Sequence, residues 1–134
     1  MSGTPVIHVS IVRHEDQRYP TVGDWRMNDQ GEWLISISDL GDWRMNLLVA
    51  VHELIEQALC VHRGVAEEAV TAFDVHFEAS RVPGDESEPG DDRRAPYHTE
   101  HQFATYIERR LSAELDVDWH QYEAAISAAG EVKQ

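Results

Sequence analysis

The residue types that can do chemistry are densest at positions 52–56, where the chain reads His-Glu-Leu-Ile-Glu. On an α-helix, His52 and Glu56 lie one turn apart on the same face, and Glu53 lies about 100° round from His52. An imidazole and a carboxylate so placed can share a metal ion, and the second carboxylate can polarise a bound water. The same pattern also fits the polar flank of an amphipathic helix, so the surrounding sequence has to distinguish the two.

A third ligand is expected from a later helix, predicted over residues 97–115. His101 borders the apolar stripe of that helix, as His52 and Glu56 border theirs. If the two helices pack together, these three side chains form a metal site that a water completes, which is the open arrangement of catalytic centres. Glu53 is then the candidate general base. Three further side chains are candidates to orient an imidazole or to join the site: Asp74, His98 and Glu108.

The helices that must position these residues are predicted from apolar periodicity. Residues 43–62 carry one broad apolar stripe, which consists of Leu47, Leu48, Val51, Leu54, Ile55, Ala58 and Leu59. Asp42 is placed to cap the start of this helix, and Gly64 to end it. Similar patterns predict helices over 65–80 and 97–115 and a short final helix. Because the link at Gly64 is short, the second helix should fold back antiparallel on the first.

Strands are predicted in the N-terminal third. Residues 6–12 are rich in β-branched side chains, residues 21–27 form a second candidate, and residues 32–38 alternate between apolar and polar side chains. The Asn-Asp-Gln-Gly sequence at 28–31 is typical of a hairpin turn. We therefore expect a small antiparallel β-meander of about three strands.

Together these patterns predict a single α+β domain. The β-meander occupies residues 1–40 and packs on a bundle of three to four helices at 41–129, and the tail at 130–134 should fray. The loop at 81–96 has three prolines and two Pro-Gly turns. Loops of this length tend to be functional or disordered, so a lid or substrate-contacting role is one expectation.

One hexapeptide, Gly-Asp-Trp-Arg-Met-Asn, occurs twice, at residues 23–28 and 41–46. Two copies with different flanks do not make a solenoid. The first copy enters a predicted turn and the second enters a predicted helix. We expect two similar corners, anchored by Trp25 and Trp43.

Composition bounds the partners and the compartment. The 134 residues carry a net charge of −14, which argues against binding a nucleic-acid backbone or an anionic membrane. A single cysteine, Cys60, precludes an internal disulfide and fits a reducing compartment. Residues 1–5 do not resemble a signal peptide, and no apolar run approaches the roughly 20 residues of a membrane span. We expect a cytoplasmic protein.

The motif at 52–56 resembles the active-site helix of zincin-type metallopeptidases, which antiparallel strands also precede. The family motif is His-Glu-x-x-His, so the resemblance implies that His52 is a ligand and Glu53 the general base. Glu56 stands where the family has its second histidine, and a carboxylate there shifts the preference toward harder metals. The implied function is metal-dependent hydrolysis of a peptide, amide or phosphoester. Zinc is the first expected metal, with manganese, iron or magnesium as alternatives.

A wider set of residues resembles small uncharacterised bacteriophage proteins. These residues are Gly-Asp-Trp-Arg at 41–44, the His-Glu helix, Glu-Pro-Gly-Asp-Asp at 88–92, Ala-Pro-Tyr at 95–97, and His101. The resemblance implies an accessory protein of the bacterial host cytoplasm and brings no assigned reaction.

Two other interpretations stay open. The carboxylates of the motif at 53–56, with Asp74 and Glu78, look somewhat like those of all-helical MazG-type nucleoside triphosphate pyrophosphatases, where paired carboxylates hold magnesium. The β-rich N-terminus departs from that family, although the arginines at 93–94 are candidates for a phosphate cradle. The third interpretation is a non-catalytic protein that binds a host factor and in which a metal has only the structural role of holding the helices together. Such a protein needs an exposed apolar patch, for which the sequence shows no obvious candidate.

Overall fold

The computed structural model describes residues 3–132 and has the expected α+β architecture, a three-stranded sheet followed by four helices. The strands are β1 (Ile7–Val12), β2 (Gly23–Met27) and β3 (Trp33–Ser38). The helices are α1 (Trp43–Arg63), α2 (Glu67–Ala79), α3 (His98–Glu114) and α4 (Trp119–Val132). The predicted tail at 130–134 lies partly within α4 and partly outside the described residues.

The hairpin between β2 and β3 forms as the turn sequence predicts. The two strands pair antiparallel, and Gly31 takes a left-handed φ of 77° at the turn. The Asn28 side chain accepts hydrogen bonds from the backbone N–H groups of Gln30 and Glu32. These bonds replace those that the backbone of the turn would otherwise leave unmade.

The sheet is mixed, so the expectation of an antiparallel meander is wrong for β1. The strand order is β1-β3-β2, and β1 runs parallel to β3. Residues 13–22 cross the end of β3, which places β2 on the far edge. The Gln17 side chain stabilises this crossing because it donates to the backbone oxygens of Val22 and Ser36. Turn signals alone do not show that the first connection crosses another strand.

The hydrophobic core lies between the sheet and α1. Trp25 and Ile35 face Leu48 in this layer, and Cys60 is fully buried. Asp42 caps α1 by accepting a hydrogen bond from the backbone N–H of Arg44 at 2.9 Å. Gly64 ends the helix with a φ of 75°, as predicted.

The principal helical neighbour of α1 is α3, rather than α2 as the short link suggested. An ion pair between Arg63 and Glu100 at 3.0 Å joins α1 to α3. Helix α2 packs on the Pro89–Asp91 turn instead. Val70 is the one buried residue of α2, so the apolar face of this helix is too narrow to cover α1.

The two copies of the repeat do not form similar corners. Trp25 lies in β2 and is only 4% exposed, whereas Trp43 begins α1 and is 68% exposed. The expectation of a second tryptophan anchor is therefore wrong. Across residues 3–132, none of the helices combines the length and apolarity needed to cross a bilayer.

Candidate metal centre

Three side chains predicted as metal ligands converge between α1 and α3. Glu56 Oε2 lies 3.1 Å from His52 Nε2 and 3.1 Å from His101 Nδ1. The two imidazole nitrogens are 3.2 Å apart. The ligand atoms therefore form a nearly equilateral triangle. Bonds of about 2.0–2.1 Å to a tetrahedral ion set ligand atoms roughly 3.3 Å apart, so the triangle matches the face of a metal polyhedron closely.

The outer nitrogens of both imidazoles are held by carboxylates. His52 Nδ1 lies 2.7 Å from Glu108 Oε1, and His101 Nε2 lies 3.2 Å from Asp91 Oδ1. Since a carboxylate only accepts, each outer nitrogen is the N–H donor. In the neutral ring the inner nitrogen then carries a lone pair that points into the triangle. Carboxylate-held histidines of this kind commonly surround metal sites.

The second carboxylate oxygens of Glu56 and Glu108 also accept hydrogen bonds. Trp25 donates its indole N–H to Glu56 Oε1 at 3.0 Å, which leaves Oε2 to face the two histidines. The Tyr122 hydroxyl donates to Glu108 Oε2. Thus β2 and α4, as well as α1 and α3, fix the orientation of the three candidate ligands. Sequence patterns assign Trp25 and Tyr122 to packing alone.

Without a cation, the cluster holds its histidines charged. Burial lowers the pKa of His52, but hydrogen bonds with Glu108 and Glu56 outweigh it and raise the pKa well above its usual value. Burial likewise opposes the bonds with Asp91 and Glu56 that raise the pKa of His101 to about 12. Burial raises the pKa of Glu56, but its bonds with both histidines lower it to about 2. The cluster is therefore built around positive charge at its centre.

Glu53, the candidate general base, is not part of the triangle and faces the adjoining cleft. Among residues 3–132 its carboxylate has no hydrogen-bond partner. Burial and the nearby charge of Glu56 raise its pKa well above the usual value. A carboxylate whose pKa is raised and that lies next to a candidate ligand set is a candidate for proton transfer.

The other sequence candidates lie around this centre in different roles. Glu108 orients His52 through the 2.7 Å contact with Nδ1. Asp74 does not approach His52, because it accepts hydrogen bonds from the hydroxyls of Tyr19 and Tyr97. Burial raises the pKa of Asp74 to about 7. His98 binds the backbone oxygen of Gly90 at 2.9 Å and stays outside the ligand triangle.

The loop at 81–96 contacts the candidate ligand His101, and its expected lid or substrate-contacting role stays a prediction. Its Pro89–Asp91 turn lies against the His101 ring, and a Cβ at Gly90 would come within 2.3 Å of that ring. Only glycine fits here without displacing His101. Glu88 Oε1 also approaches His101 Nε2, at 3.4 Å, so Glu88, Asp91 and His101 form a second, more exposed group of possible ligands.

Several side chains that contact the candidate site residues were missed from the sequence. Trp25, Tyr122, Tyr19, Tyr97 and Asp91 carry ordinary core or loop patterns, and only their hydrogen bonds reveal a role. The arginines at 93–94 are exposed and do not line the cleft, so the structure does not bring them to the carboxylates.

No protein-family model, curated protein or solved structure matches this chain. The resemblances to zincin-type peptidases and to small bacteriophage proteins therefore stay predictions.

Proposed function

We propose that the protein binds one divalent metal ion through His52, Glu56 and His101 and uses it for hydrolysis. Zinc is the first expected metal. Two imidazoles and one carboxylate also suit iron and manganese, so metal identity is part of the test. The single observation that carries the proposal is the triangle of ligand atoms 3.1–3.2 Å apart, whose outer nitrogens are both held by carboxylates.

An ordinary polar network explains this geometry less well. In their neutral forms, two inner nitrogens and a carboxylate oxygen direct lone pairs at one another, which is repulsive. In their charged forms, Glu56, Glu108 and Asp91 compensate the charge of the rings, but the two inner N–H groups then lie only 3.2 Å apart and repel each other. A divalent cation removes both problems because it accepts all three lone pairs.

Glu53 supplies the proton acceptor in this proposal. A metal held by three protein ligands leaves a position open and lowers the pKa of a water bound there. Glu53 lines the cleft beside the triangle and has no competing hydrogen bond within the described chain. In this proposal Glu53 takes the proton while the cleft receives the substrate.

The test is a calorimetric titration of untagged, chelator-stripped protein with zinc, manganese and iron(II). One equivalent of metal should bind, and both His52→Ala and His101→Ala should abolish that binding. His62→Ala is the matched control, since His62 is exposed near the end of the same helix. Uptake below about a tenth of an equivalent for every metal would reject the proposal.

The catalytic part is tested separately with Glu53→Gln, which removes the proton acceptor and keeps the side-chain shape. This variant should bind metal like the wild type and lose hydrolysis of a panel of peptide, amide and phosphoester substrates. Equal hydrolysis by the variant and the wild type would remove Glu53 from the mechanism.

A non-catalytic binding protein is the second candidate, and one observation favours it. Contrary to the sequence expectation, an apolar surface is exposed: Ile7, Val9 and Ile11 of β1 are about half exposed at an unpaired sheet edge. An edge strand of this kind can pair with an extended segment of another protein. If binding is the whole function, capture of a host factor should survive His101→Ala, and Val9→Lys should abolish it.

The pyrophosphatase interpretation has less support in the described residues. Glu56 already contacts His52, and Glu78 forms an ion pair with Arg81 at 2.8 Å. Asp74 accepts hydrogen bonds from two tyrosine hydroxyls. Magnesium-only binding that Asp74→Asn weakens would favour it over the proposed site.

A further inference from the structure

The most apolar side of α1 is turned away from both the sheet and the candidate metal centre. Its residues recur at alternating spacings of four and three, which places them along one side of the helix: Leu47, Val51, Leu54, Ala58 and Val61. Leu54 lies two residues before Glu56, about 160° round the helix from it. Leu47 and Val61 are 40% and 42% exposed, and none of the five is among the buried residues of α1. The fold therefore leaves partly exposed the side of α1 that would gain most from burial.

Strand β1 adds a row of apolar side chains beside this stripe. Three alternate residues of β1 are apolar and 42–50% exposed: Ile7, Val9 and Ile11. They are in register with alternate residues of β3, including the buried Ile35 and Ile37, so they project from the face of the sheet on which α1 packs. Trp25 of β2 reaches Glu56 on the metal-centre side of α1. Because β3 separates β1 from β2, β1 lies beside the opposite flank of α1, where the stripe projects.

Helix α3 borders the stripe on its other side. Phe103 lies two residues after His101, about 160° round α3 from the ring that faces the candidate metal centre. Ile107 follows one turn later on the same side of the helix. Phe103 is 49% exposed, and Ile107 is partly exposed. Since the candidate metal centre lies between α1 and α3, these two side chains project from the opposite side of the helix pair, as the α1 stripe does.

Ten apolar side chains thus project from one side of the molecule and form an apolar face: Ile7, Val9, Ile11, Leu47, Val51, Leu54, Ala58, Val61, Phe103 and Ile107. None of them is charged, although 25 of the 134 residues are aspartate or glutamate. Their exposed fractions amount to roughly 600 Å² of surface, which equals the largest apolar patches of typical monomers, and such patches often mark interaction sites. The face therefore has the size and composition of an interaction surface.

We propose that the apolar face binds a second copy of this chain, with the two α1 helices antiparallel about a two-fold axis at Leu54. Leu47 and Val61 lie seven residues on either side of Leu54. The axis therefore brings Leu47 of one copy against Val61 of the other, so the stripe is complementary to itself. Two such faces would bury roughly 1,200 Å² together, above the ~1,000 Å² that a specific interface needs.

Charge also favours a second copy on this face. Each chain carries a net charge of −14, so two copies repel each other wherever their acidic surfaces meet. The uncharged apolar face lets two copies approach without bringing carboxylates together. A basic partner would bind the acidic surfaces instead, because charge complementarity selects partners of opposite sign. The candidate metal centre lies on the other side of α1, so this inference does not depend on the proposed metal function.

The test is analytical ultracentrifugation of the untagged, full-length protein over a range of concentrations. The wild type should sediment with twice the mass of one chain at high micromolar concentration. Salt should strengthen the dimer, because it screens the repulsion between two acidic chains. A monomer at every concentration would overturn the inference and leave the face to a partner of another sequence. A dimer that salt weakens would also overturn it, because charge pairs would then hold the copies together.

Two charge variants test the antiparallel arrangement. Leu47→Glu and Val61→Lys each place a charge at a position that is already partly exposed, so the fold should persist while the dimer weakens at least about tenfold. The double variant should recover much of the dimer, because the two-fold axis places each new carboxylate beside a new ammonium of the other copy. Within one chain the two positions are about 21 Å apart along α1, so they do not pair there. A double variant as monomeric as the single variants would contradict the axis at Leu54.

Val75→Glu is the matched control, because Val75 is 47% exposed on α2, outside the apolar face. It adds the same charge as Leu47→Glu and should leave the dimer unchanged. Equal weakening by these two variants would show that added charge alone, rather than its place in the face, separates the copies, and would overturn the inference. His101→Ala leaves the face intact and should stay dimeric, so loss of metal binding and loss of the dimer are distinguished. Circular dichroism checks that each variant keeps its helices.

Discussion

Residues 23–28 and 41–46 share the sequence Gly-Asp-Trp-Arg-Met-Asn and adopt two different structures. The first copy forms all of β2 and the residue after it, and the second precedes and begins α1. Trp25 is buried and donates to Glu56, whereas Trp43 projects into solvent. Asp24 pairs with Arg18 at 2.7 Å, whereas the second copy uses its aspartate as the cap of α1.

The difference arises from the segment that comes after each copy. After the first copy, a turn and an alternating segment supply β3 as a partner strand, and the hydrogen bonds of a strand need such a partner. After the second copy, apolar residues recur at helical spacing, and a helix satisfies its hydrogen bonds internally. Six identical residues are thus compatible with either structure. Only the first copy touches the candidate metal centre, and matched substitutions in the two copies can test that assignment.

The largest expected difference is in stability. Trp25→Ala should lower the free energy of unfolding by about 3–5 kcal/mol, because it empties a large core site and leaves Glu56 Oε1 without its donor. Trp43→Ala should change it by less than about 0.5 kcal/mol, as is usual for exposed sites. Urea denaturation followed by circular dichroism measures both. Similar losses in the two variants would contradict the different placement of the copies.

The next largest effect is the pH dependence of metal binding. In the metal-free chain the pKa of His101 is about 12 and that of His52 is also well raised, so each ring must lose a proton to bind metal at neutral pH. Affinity should therefore rise with pH, by up to about 100-fold per unit for two protons. Calorimetry in buffers of different ionisation enthalpy measures the protons released. Affinity that is constant between pH 6 and 8 would contradict protonated inner nitrogens.

The stability of the metal-free chain depends on pH in the opposite direction, so it falls as the pH rises. A raised pKa in the folded state means that the ion pairs of His101 stabilise it fully below the unfolded pKa of about 6.5. That contribution is lost as the pH rises toward about 12. Metal-induced stabilisation should consequently grow with pH in the wild type and in Trp43→Phe alike.

A smaller effect is expected on metal affinity when the tryptophan of each copy is replaced by phenylalanine. Trp25→Phe keeps most of the packing volume and removes the N–H that holds Glu56, so affinity should fall roughly 10- to 100-fold, as when other groups that orient metal ligands are lost. Trp43→Phe should leave affinity unchanged. The same calorimetric titration compares them. An equal affinity in the two variants would mean that the indole of Trp25 serves packing alone.

The smallest expected effect concerns the glycine that begins each copy. A Cβ at Gly23 would lie 2.8 Å from both Glu53 Cγ and Val49 Cγ1, whereas Gly41 has open space around it and a φ of 85°. Gly23→Ala and Gly41→Ala should each cost about 1–2 kcal/mol, the first by overpacking and the second by left-handed strain. Only Gly23→Ala should also displace Glu53 and slow hydrolysis. Steady-state rates at saturating metal distinguish the two.

The sequence predicted the parts of the molecule that depend on local periodicity. The spacing of His52 and Glu56 placed them on one helical face, and the stripe beside His101 indicated a second ligand helix. The mutual approach of the three side chains depended on whether α1 packs on α3 or α2, which helical spacing does not encode. The narrow apolar face of α2, with Val70 alone buried, decided that choice only in three dimensions.

Contacts between residues that are far apart in the sequence could not be predicted from local patterns, for the same reason. The indole of Trp25 reaches Glu56 across 31 residues, and the parallel pairing of β1 with β3 depends on a chain crossing. Neither leaves a periodic signal. Glu108 is a candidate from the sequence because it shares a helix face with His101, whereas the pattern around Tyr122 indicates packing alone and does not reveal its hydroxyl on Glu108.

The central claim is that one metal ion sits within the triangle of His52, Glu56 and His101. Crystals grown with zinc, with diffraction data collected on both sides of the zinc absorption edge, locate the ion directly. We predict a single anomalous peak about 2.0–2.2 Å from His52 Nε2, Glu56 Oε2 and His101 Nδ1. A peak at the outer group, on His101 Nε2 with Glu88 and Asp91, or no peak between α1 and α3, would contradict this claim.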